Sequence, residues 1–403
     1  MYAIKAIYKK YLLVSISLFL LISVLSGCSL FVKPLPEPSL QQLSLWQVSS
    51  HDWSDDMNYD GIETAAERSI NYYEQLPTDK DFYYGEFVYS PEEMIASMRL
   101  FLNIIQNHRG NDLSNELEKK FLFFESRNSK RNAFFTGYYE PVLKGSLWPD
   151  EDFTEPLYET PDDIVAADLG QFSEKWINET IVGKLEGGRL VPYDNREEIV
   201  YERSLSGRAR PIVYVSEIEL FFLQIQGSGV IKLRDGSLKR VNYDQKNGHP
   251  YNSIGAILRD KILPEEISLQ SIKSYLYSNP DEVRGILNYN QSYVFFREAE
   301  DGPFGNIDVL LTPIRSIAMD KRIIPAGGLA FIETELPEFA DGKITDWKPV
   351  KRFALVQDTG GAIRDHGRVD IFFGSGKNAE MNAGHLKQNG RVFLLVARKE
   401  FLE

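Results

Sequence analysis

Apolar side chains repeat with helical spacing after residue 90. Ser90, Pro91 and Glu93 combine an N-cap, a first-turn proline and a capping-box glutamate, which together predict the start of a helix. The apolar residues that follow fall on one face of this helix: Met94, Met98, Phe101 and Ile105. A second helix is predicted over residues 113–125.

Further along the chain, short apolar runs rich in aromatic and β-branched residues alternate with helical segments. Strands are predicted over residues 134–139, 212–215, 221–226 and 229–233, and Asp235-Gly236 marks a turn. Helices are predicted over residues 253–259, over 268–277 and after the cap at 279–282. The C-terminal part predicts short strands over 309–311, 329–333, 353–357, 369–373 and 391–396. This order predicts an α+β, β-rich protein with one β domain inserted into another.

The N-terminus has the pattern of an export signal. Lysines precede an apolar run over residues 11–25, and small residues lead into Cys28. The run is short for a membrane span, which needs roughly 20 apolar residues, although a short membrane helix with a chance cysteine is the alternative. The pattern resembles a bacterial lipoprotein signal over residues 1–27, with Cys28 acylated as the mature N-terminus. Residues 28–45 contain three prolines and read as an extended tether.

An aspartate is absent after Cys28, where Ser29 stands. In enteric-type bacteria this resembles the sorting signal of outer-membrane lipoproteins. We therefore expect a lipid anchor to the outer membrane and a protein that faces the periplasm.

Composition excludes several classes of function. The net charge is −13, and it becomes −16 without residues 1–27, which hold three lysines and no acids. Such an acidic chain is a poor candidate for nucleic-acid binding, which needs basic surface. A single cysteine allows neither an intramolecular disulfide nor a thiolate metal cluster, and the five histidines lack the spacing of metal ligands. We therefore expect no metal and no cofactor. The mature length suggests two domains.

Three aspartates follow or occupy apolar β segments near the C-terminus. They are Asp320, Asp358 and Asp370. A half-buried carboxyl group needs a partner or a raised pKa, and a raised pKa is what a general acid requires. Gly360 and Gly361 follow Asp358 and allow a tight turn or the close approach of a ligand. The structural alternative is that each aspartate only caps a turn.

These residues also carry a resemblance. The stretch 358–363, Arg368-x-Asp370 and Gly374-x-Gly376 is similar to the signature of the three-aspartate or 3D domain, a double-psi β-barrel. Residues 135–141, 188–193, 222–229, 247–255 and 292–298 resemble the signature of the membrane-bound lytic murein transglycosylase A family. The resemblance implies a larger domain of residues 46–141 and 245–403, with the 3D domain at about 305–396. It implies an inserted β domain over 142–244.

The resemblance also implies a reaction on peptidoglycan glycan strands. Such enzymes cleave the β-1,4 bond between N-acetylmuramic acid and N-acetylglucosamine, and the C6 hydroxyl of the muramic residue attacks its own C1. The product has a 1,6-anhydromuramic acid end, and one acid group serves as both acid and base. By residue match this group is Asp370, with Asp358 and Asp320 as companions.

The other matched blocks imply a glycan-binding groove. Its expected residues are Thr136, Gly137, Tyr138, Gln226, Gly227, Ser228, Gly360 and Gly361. His249, in Asn-Gly-His-Pro, is expected to bind backbone or cap a helix and not to act in catalysis.

Two positions depart from the family pattern. Ile314 stands where the family usually has glycine, and Arg364-Asp365 stands where it usually has Lys-Gly, so both departures fall on the shape of local loops. Two other functions remain open on the residues alone. One is a hydrolytic glycosidase with Asp358 as base and Asp370 as acid. The other is a murein-binding lipoprotein without catalytic activity.

Overall fold

The computed structural model describes residues 40–176, 179–263 and 266–402. The predicted signal, Cys28 and most of the predicted tether lie outside these residues. Within them the α-helices are, in chain order, α1 Leu45–Ser49, α2 Ile62–Glu74, α3 Pro91–Asn107, α4 Gly110–Lys120, α5 Arg196–Val200, α6 Glu217–Gln226, α7 Leu269–Ser278, α8 Pro280–Leu287 and α9 Lys377–His385. None of the helices in the described ranges combines the length and the apolar character that a bilayer span requires.

The strands of the described residues follow the same order. They are β1 Leu40–Gln42, β2 Phe82–Tyr84, β3 Phe87–Tyr89, β4 Phe121–Ser126, β5 Ala133–Glu140, β6 Val142–Lys144, β7 Glu155–Tyr158, β8 Ile164–Asp168, β9 Thr180–Glu186, β10 Arg189–Pro192, β11 Pro211–Val215, β12 Ser228–Lys232, β13 Leu238–Lys246, β14 Val294–Ala299, β15 Ser316–Ala318, β16 Leu329–Ala340, β17 Lys343–Asp358, β18 Arg368–Ser375 and β19 Lys387–Ala397. The fold is therefore α+β and rich in strands, as predicted.

Helix α3 begins as the sequence predicts. The Ser90 hydroxyl accepts a hydrogen bond from the backbone N–H of Glu93 at 3.3 Å, and the Glu93 carboxylate accepts one from the Ser90 N–H at 2.9 Å. The predicted apolar face, including Met94 and Phe101, is buried. The capping box and the apolar face thus account for both the start and the packing of this helix.

Four element predictions are wrong. The helix predicted over 113–125 ends at Lys120, because the apolar run after it is strand β4, buried on both faces. Residues 221–226 are helix α6 and not a strand, since they bury apolar side chains all round and end at Gly227, whose φ of 80° closes the helix. Residues 253–259 hold only a short 3-10 turn, and 309–311 holds only one isolated bridge.

The end of the predicted tether is also structured. Strand β1 pairs with β4 in antiparallel register, and Leu40 and Leu43 are buried. Because these apolar side chains pack into the core, residues 40–45 of the predicted tether belong to the folded part of the chain.

Six strands close a barrel. The order β19–β16–β17–β15–β18–β5 returns to β19 through a β5–β19 pairing, and β4 and β1 extend one side. One buried cluster takes side chains from all six barrel strands, including Phe135, Ile317 and Ile371. By the two-residue period of a strand, these side chains point into the barrel and their neighbours point out of it.

Helices cover part of the barrel exterior. A second buried cluster joins Ala65, Met98 and Phe101 of α2 and α3 to outward residues of the barrel such as Phe331 and Phe353. This cluster contains residues of β4, β16, β17 and β19 but none of β5, β15 or β18. Helices α2 and α3 therefore cover one side of the barrel and leave the wall built from β15, β18 and β5 for other neighbours.

The middle of the chain forms smaller sheets. Strands β14, β13, β12 and β6 form one sheet, β10, β9 and β8 a second, and β11 with β7 a third. The predicted turn at Asp235-Gly236 joins β12 to β13, and the N–H of Gly236 donates to the carbonyl of Leu233 at 3.0 Å. The first of these sheets also takes β14 from outside residues 142–244.

Candidate functional site

A row of four residues crosses the barrel wall that helices α2 and α3 do not cover. Ala318 of β15 pairs with Asp358 of β17 on one side and with Asp370 of β18 on the other, and Asp370 pairs with Thr136 of β5. Residues paired in this way point to the same face of a sheet. Since neighbouring strands lie about 4.8 Å apart, the backbones of the two aspartates are about 10 Å apart.

A shift in register brings Asp358 into this row. Ile317 pairs with Val356, but the next pair is Ala318 with Asp358, so Gln357 is the extra residue. The Gln357 side chain is buried, donates to the carbonyl of Ala65 at 2.7 Å and accepts from Ser316 at 2.6 Å. An extra residue of this kind reverses the face on which the following side chain lies, and here it places Asp358 beside Asp370.

Asp370 has one hydrogen-bond donor. The Thr136 hydroxyl donates to Oδ1 at 2.6 Å, and no hydrogen bond reaches Oδ2 from the described residues. Loss of hydration raises the pKa of Asp370, while the positive charge of Arg368 and the Thr136 hydrogen bond act in the opposite direction. The group is thus a carboxyl with a raised pKa and one free oxygen, as a general acid requires.

Asp358 has donors on both oxygens. Oδ2 accepts from the Tyr138 hydroxyl at 2.8 Å, and Oδ1 accepts from the N–H groups of Asn306 at 3.0 Å and Thr359 at 2.8 Å. Burial nevertheless raises the pKa of Asp358 to about 6, and the negative charge of Asp370 contributes to this rise. Asp358 is therefore a buried carboxyl whose pKa depends first on burial and to a smaller extent on the charge of Asp370.

Asp320 has a different environment. Its carboxylate pairs with Arg322 at 2.6 Å and accepts the N–H of Asp365 at 3.1 Å. Burial opposes ionisation, but these hydrogen bonds and the charge of Arg322 outweigh it and lower the pKa of Asp320. The contacts of Asp320 thus tie together two loops of the barrel, whereas Asp358 and Asp370 share the row on its wall.

The two departures from the family pattern both occupy left-handed backbone. Ile314 has a φ of 66° and Asp365 a φ of 80°, a region that glycine adopts without strain. The loops keep their hydrogen bonds, since the Ile314 N–H donates to the carbonyl of Phe372 at 2.6 Å and the Asp365 N–H donates to Asp320. The Asp365 carboxylate accepts the N–H of His366 at 2.7 Å, whereas the Thr136 hydroxyl donates to Asp370.

Gln226 reaches the same barrel strand as Thr136. Its Oε1 accepts the backbone N–H of Tyr139 at 3.0 Å, three residues along β5 from Thr136. That spacing is about 10 Å in a strand. Gly227 ends helix α6, and Ser228 begins β12 as a buried residue. Residues predicted from two distant blocks therefore meet along β5.

The predicted glycines have different surroundings. A Cβ on Gly137 would lie 2.4 Å from the Phe373 ring, so this glycine allows close packing within the protein. A Cβ on Gly361 would lie 3.7 Å from Tyr251, and one on Gly360 would lie 3.1 Å from Ile363. Gly361 is exposed and remains accessible to a ligand.

His249 binds backbone, as expected. Its Nε2 lies 2.7 Å from the carbonyl of Tyr193, and its N–H donates to Asn247 at 3.3 Å. Within the described ranges no three histidine, cysteine, aspartate or glutamate side chains come together as metal ligands.

Sequence reasoning missed three neighbours of the aspartates. Arg368 reaches Thr136, Asn306 donates its N–H to Asp358, and Tyr251 lies close enough to Asp370 for that charge to raise its pKa, beside the larger effect of burial. Arg368 lies two residues before Asp370, so a strand at this position predicts that they share a face. The backbone contact of Asn306 leaves no such signal in the sequence.

The residues of this candidate site lie within two regions that match known protein families. Residues 134–297 match the family described as the MltA specific insert domain, and residues 315–396 match the 3D domain. The membrane-bound lytic murein transglycosylase A of Vibrio cholerae is 31% identical over 270 residues, which are 66% of this chain and 65% of that protein. The Escherichia coli K12 protein of the same name is 32% identical over 276 residues, 67% of each chain.

A solved structure extends the comparison to most of the fold. The crystal structure of a membrane-bound lytic murein transglycosylase from Agrobacterium tumefaciens aligns with a TM-score of 0.70 and 29% identity, covering 91% of this chain and all of that one. The barrel and the matched domains place the chain among the lytic transglycosylases, a class of enzymes that act on peptidoglycan. Within this class it belongs to the membrane-bound lytic murein transglycosylase A family.

Proposed function

We propose that this chain cleaves the β-1,4 bond between N-acetylmuramic acid and N-acetylglucosamine and leaves a 1,6-anhydromuramic acid end. The observation that carries the proposal is the carboxyl of Asp370, which has a raised pKa and one oxygen without a donor from the described residues. The names of the related proteins, which specify murein, support the substrate.

In this mechanism Asp370 acts twice. Its carboxyl proton goes to the glycosidic oxygen as the C1–O bond breaks, and the bonding electron pair stays on that oxygen. The C6 hydroxyl oxygen of the muramic residue then forms a bond to C1, and its proton returns to the Asp370 carboxylate. The acid is restored and no water is consumed. Because the nucleophile is already part of the bound substrate, the protein contributes position and one proton-transfer group.

We assign Asp358 an electrostatic role. Its two oxygens are occupied by Tyr138, Asn306 and Thr359, so it is poorly placed to transfer a proton. As an anion it would stabilise the positive charge that develops at C1, and it would raise the pKa of Asp370. Asp320 would act only through the loops that it holds.

The pH dependence of turnover follows from these pKa shifts. Activity should fall as the pH rises through the raised pKa of Asp370, because the acid then loses its proton. In Asp358→Asn a negative charge near Asp370 disappears, so the pKa of Asp370 falls and the alkaline limb moves to lower pH. The rate of release of soluble fragments from sacculi across a pH series would measure this, and an unchanged profile would remove Asp358 from the mechanism.

We propose that the glycan strand binds along the row of aspartates and toward Gln226. The binding residues would be Thr136, Gly137, Tyr138, Gln226, Gly227, Ser228, Gly360 and Gly361. The meeting of Gln226 with β5 supports this direction. We further propose the double-psi connection for the barrel, an inserted domain near residues 142–244 and a larger domain formed by residues 46–141 and 245–403, with the 3D domain at about 305–396 and the groove between the two domains.

We propose that the chain is a lipoprotein of the outer membrane, anchored through Cys28 and facing the periplasm. The related proteins are named membrane-bound, which supports an association with a membrane. Cys28→Ala should take up no palmitate analogue and should leave the membrane fraction. Wild-type protein that takes up no label would contradict the anchor.

Digestion of purified sacculi tests the proposed function against its alternatives. We expect soluble fragments that are lighter by one water than the products of hydrolysis. Fragments that contain the added water would support a hydrolase with Asp358 and Asp370 as base and acid. Binding to sacculi without release of fragments would instead support a non-catalytic murein-binding protein.

A further inference from the structure

Arg368 is held rigidly beside the proposed acid. Its Nη1 donates to the carbonyls of Val369 at 2.9 Å and Phe134 at 3.4 Å, and the guanidinium lies 5.3 Å from the centre of the Phe134 ring. Its Nη2 donates to the Thr136 hydroxyl oxygen at 2.7 Å. No carboxylate forms an ion pair with Arg368 among the described residues, so this side chain is anchored by neutral groups.

This contact fixes the direction of the Thr136 hydroxyl. A threonine hydroxyl has a single proton to donate. Because Arg368 donates to Oγ1, the proton of Thr136 must point elsewhere, and Oδ1 of Asp370 is 2.6 Å away. The three groups form a chain in which Arg368 donates to Thr136 and Thr136 donates to Asp370.

These two hydrogen bonds, from Arg368 to Thr136 and from Thr136 to Asp370, make the two oxygens of Asp370 different. An oxygen that accepts a hydrogen bond is best suited as the carbonyl oxygen of a neutral carboxyl group, since the O–H oxygen of that group is the weaker acceptor. We propose that Arg368 is a positioning residue, which acts through Thr136 to keep the acidic proton of Asp370 on the free Oδ2. This inference rests on the proposed function, because it assumes that Asp370 is the acid.

Arg368 also influences the titration of Asp370. The charged or titratable groups near Asp370 are Arg368 on its own strand, Tyr138 on β5, Asp358 on β17 and Tyr251. Arg368 is the cation among them, and its charge opposes the rise in the Asp370 pKa that burial causes. Loss of this charge should therefore raise the pKa of Asp370 further.

Arg368→Gln is the direct test. We expect kcat on sacculi to fall about tenfold to a hundredfold, the range for a hydrogen bond to a charged group, with KM nearly unchanged. The alkaline limb of the pH–rate profile should move to higher pH, opposite to the shift in Asp358→Asn. Arg364→Gln removes an equal charge from a neighbouring loop and should leave the limb in place. A normal kcat with an unmoved limb in Arg368→Gln would overturn the proposal.

Variants of Thr136 test the same series of hydrogen bonds if Arg368→Gln fails to fold. Thr136→Val should lower kcat and move the alkaline limb to higher pH, and Thr136→Ser should restore both. Equal behaviour of the valine and serine variants would overturn the inference. Asp370→Asn distinguishes the role of Asp370 as the acid from the role of Arg368 as a positioning residue. If Asp370→Asn is inactive while the Arg368 and Thr136 variants are normal, Asp370 remains the proposed acid and only the positioning role of Arg368 is wrong.

Discussion

Asp370→Asn should lower the rate of turnover on sacculi by at least about 10²–10⁴-fold, the contribution typical of a general acid or base. The amide keeps the shape of the side chain and can still accept the hydrogen bond from Thr136 at Oδ1, but its N–H protons are far too weakly acidic to be transferred to the glycosidic oxygen. Folding and binding to sacculi should change little. Release of soluble fragments by equal amounts of folded protein measures the effect.

Asp365→Asn is the matched control for this variant. It neutralises an exposed carboxylate in the loop that precedes β18, and that carboxylate contacts the N–H of His366. Near-normal turnover is expected. If Asp370→Asn is as active as this control, the assignment of the acid is wrong.

Asp55→Ala should lower the free energy of unfolding by about 3–5 kcal/mol, the cost of breaking a buried ion pair. Asp55 pairs with Arg315 at 2.6 Å, and both side chains are fully buried. Its carboxylate also accepts the N–H groups of Phe353 and Met57, both at 2.9 Å. Because Arg315 immediately precedes β15, the variant would leave an unpaired charge at the start of a central barrel strand. Urea unfolding measures the loss.

Asp52→Ala provides the comparison for Asp55→Ala. Asp52 pairs with Lys351 at 3.2 Å, but Asp52 is exposed and Lys351 is partly exposed, so at most about 1 kcal/mol should be lost. A similar small loss in Asp55→Ala would contradict the importance of the buried pair.

The buried pair also gives stability a dependence on pH. Burial opposes ionisation of Asp55, but the hydrogen bonds and the charge of Arg315 outweigh it and lower the pKa of Asp55. The ionised Asp55 therefore contributes fully to the free energy of unfolding above about pH 3.9, the pKa of an aspartate in the unfolded chain. This contribution is lost as the pH falls through the lower pKa that Asp55 has in the folded protein.

The sequence predicted correctly those helices and strands that are marked by a pattern within a few residues. The capping box at Ser90 and the short apolar barrel strands were found because a cap and an apolar run rich in β-branched and aromatic residues are visible within a few residues. Helix α6 was mistaken for a strand because it is apolar all round, and β4 was mistaken for the end of a helix because both its faces are buried. Burial on all sides removes the period on which such predictions depend.

The candidate site was predictable in its residue types but not in its arrangement. Asp358 and Asp370 were identified from their motifs, yet only the register shift at Gln357 places them in one row. The same motifs suggested Asp320 as a companion, whereas in the structure Asp320 pairs with Arg322 and lies outside the row. Pairing between distant strands sets these relations, and it leaves little trace in local sequence.

Digestion of sacculi in heavy-oxygen water tests the central claim most directly. If the C6 hydroxyl of the muramic residue is the nucleophile, the new 1,6-anhydro ends form without water, and the released fragments contain no heavy oxygen at the cleaved C1. Asp370→Asn should release no such fragments under the same conditions. Incorporation of heavy oxygen at the new ends by the wild-type protein would show that water attacks C1, and would reject the transglycosylase mechanism in favour of hydrolysis.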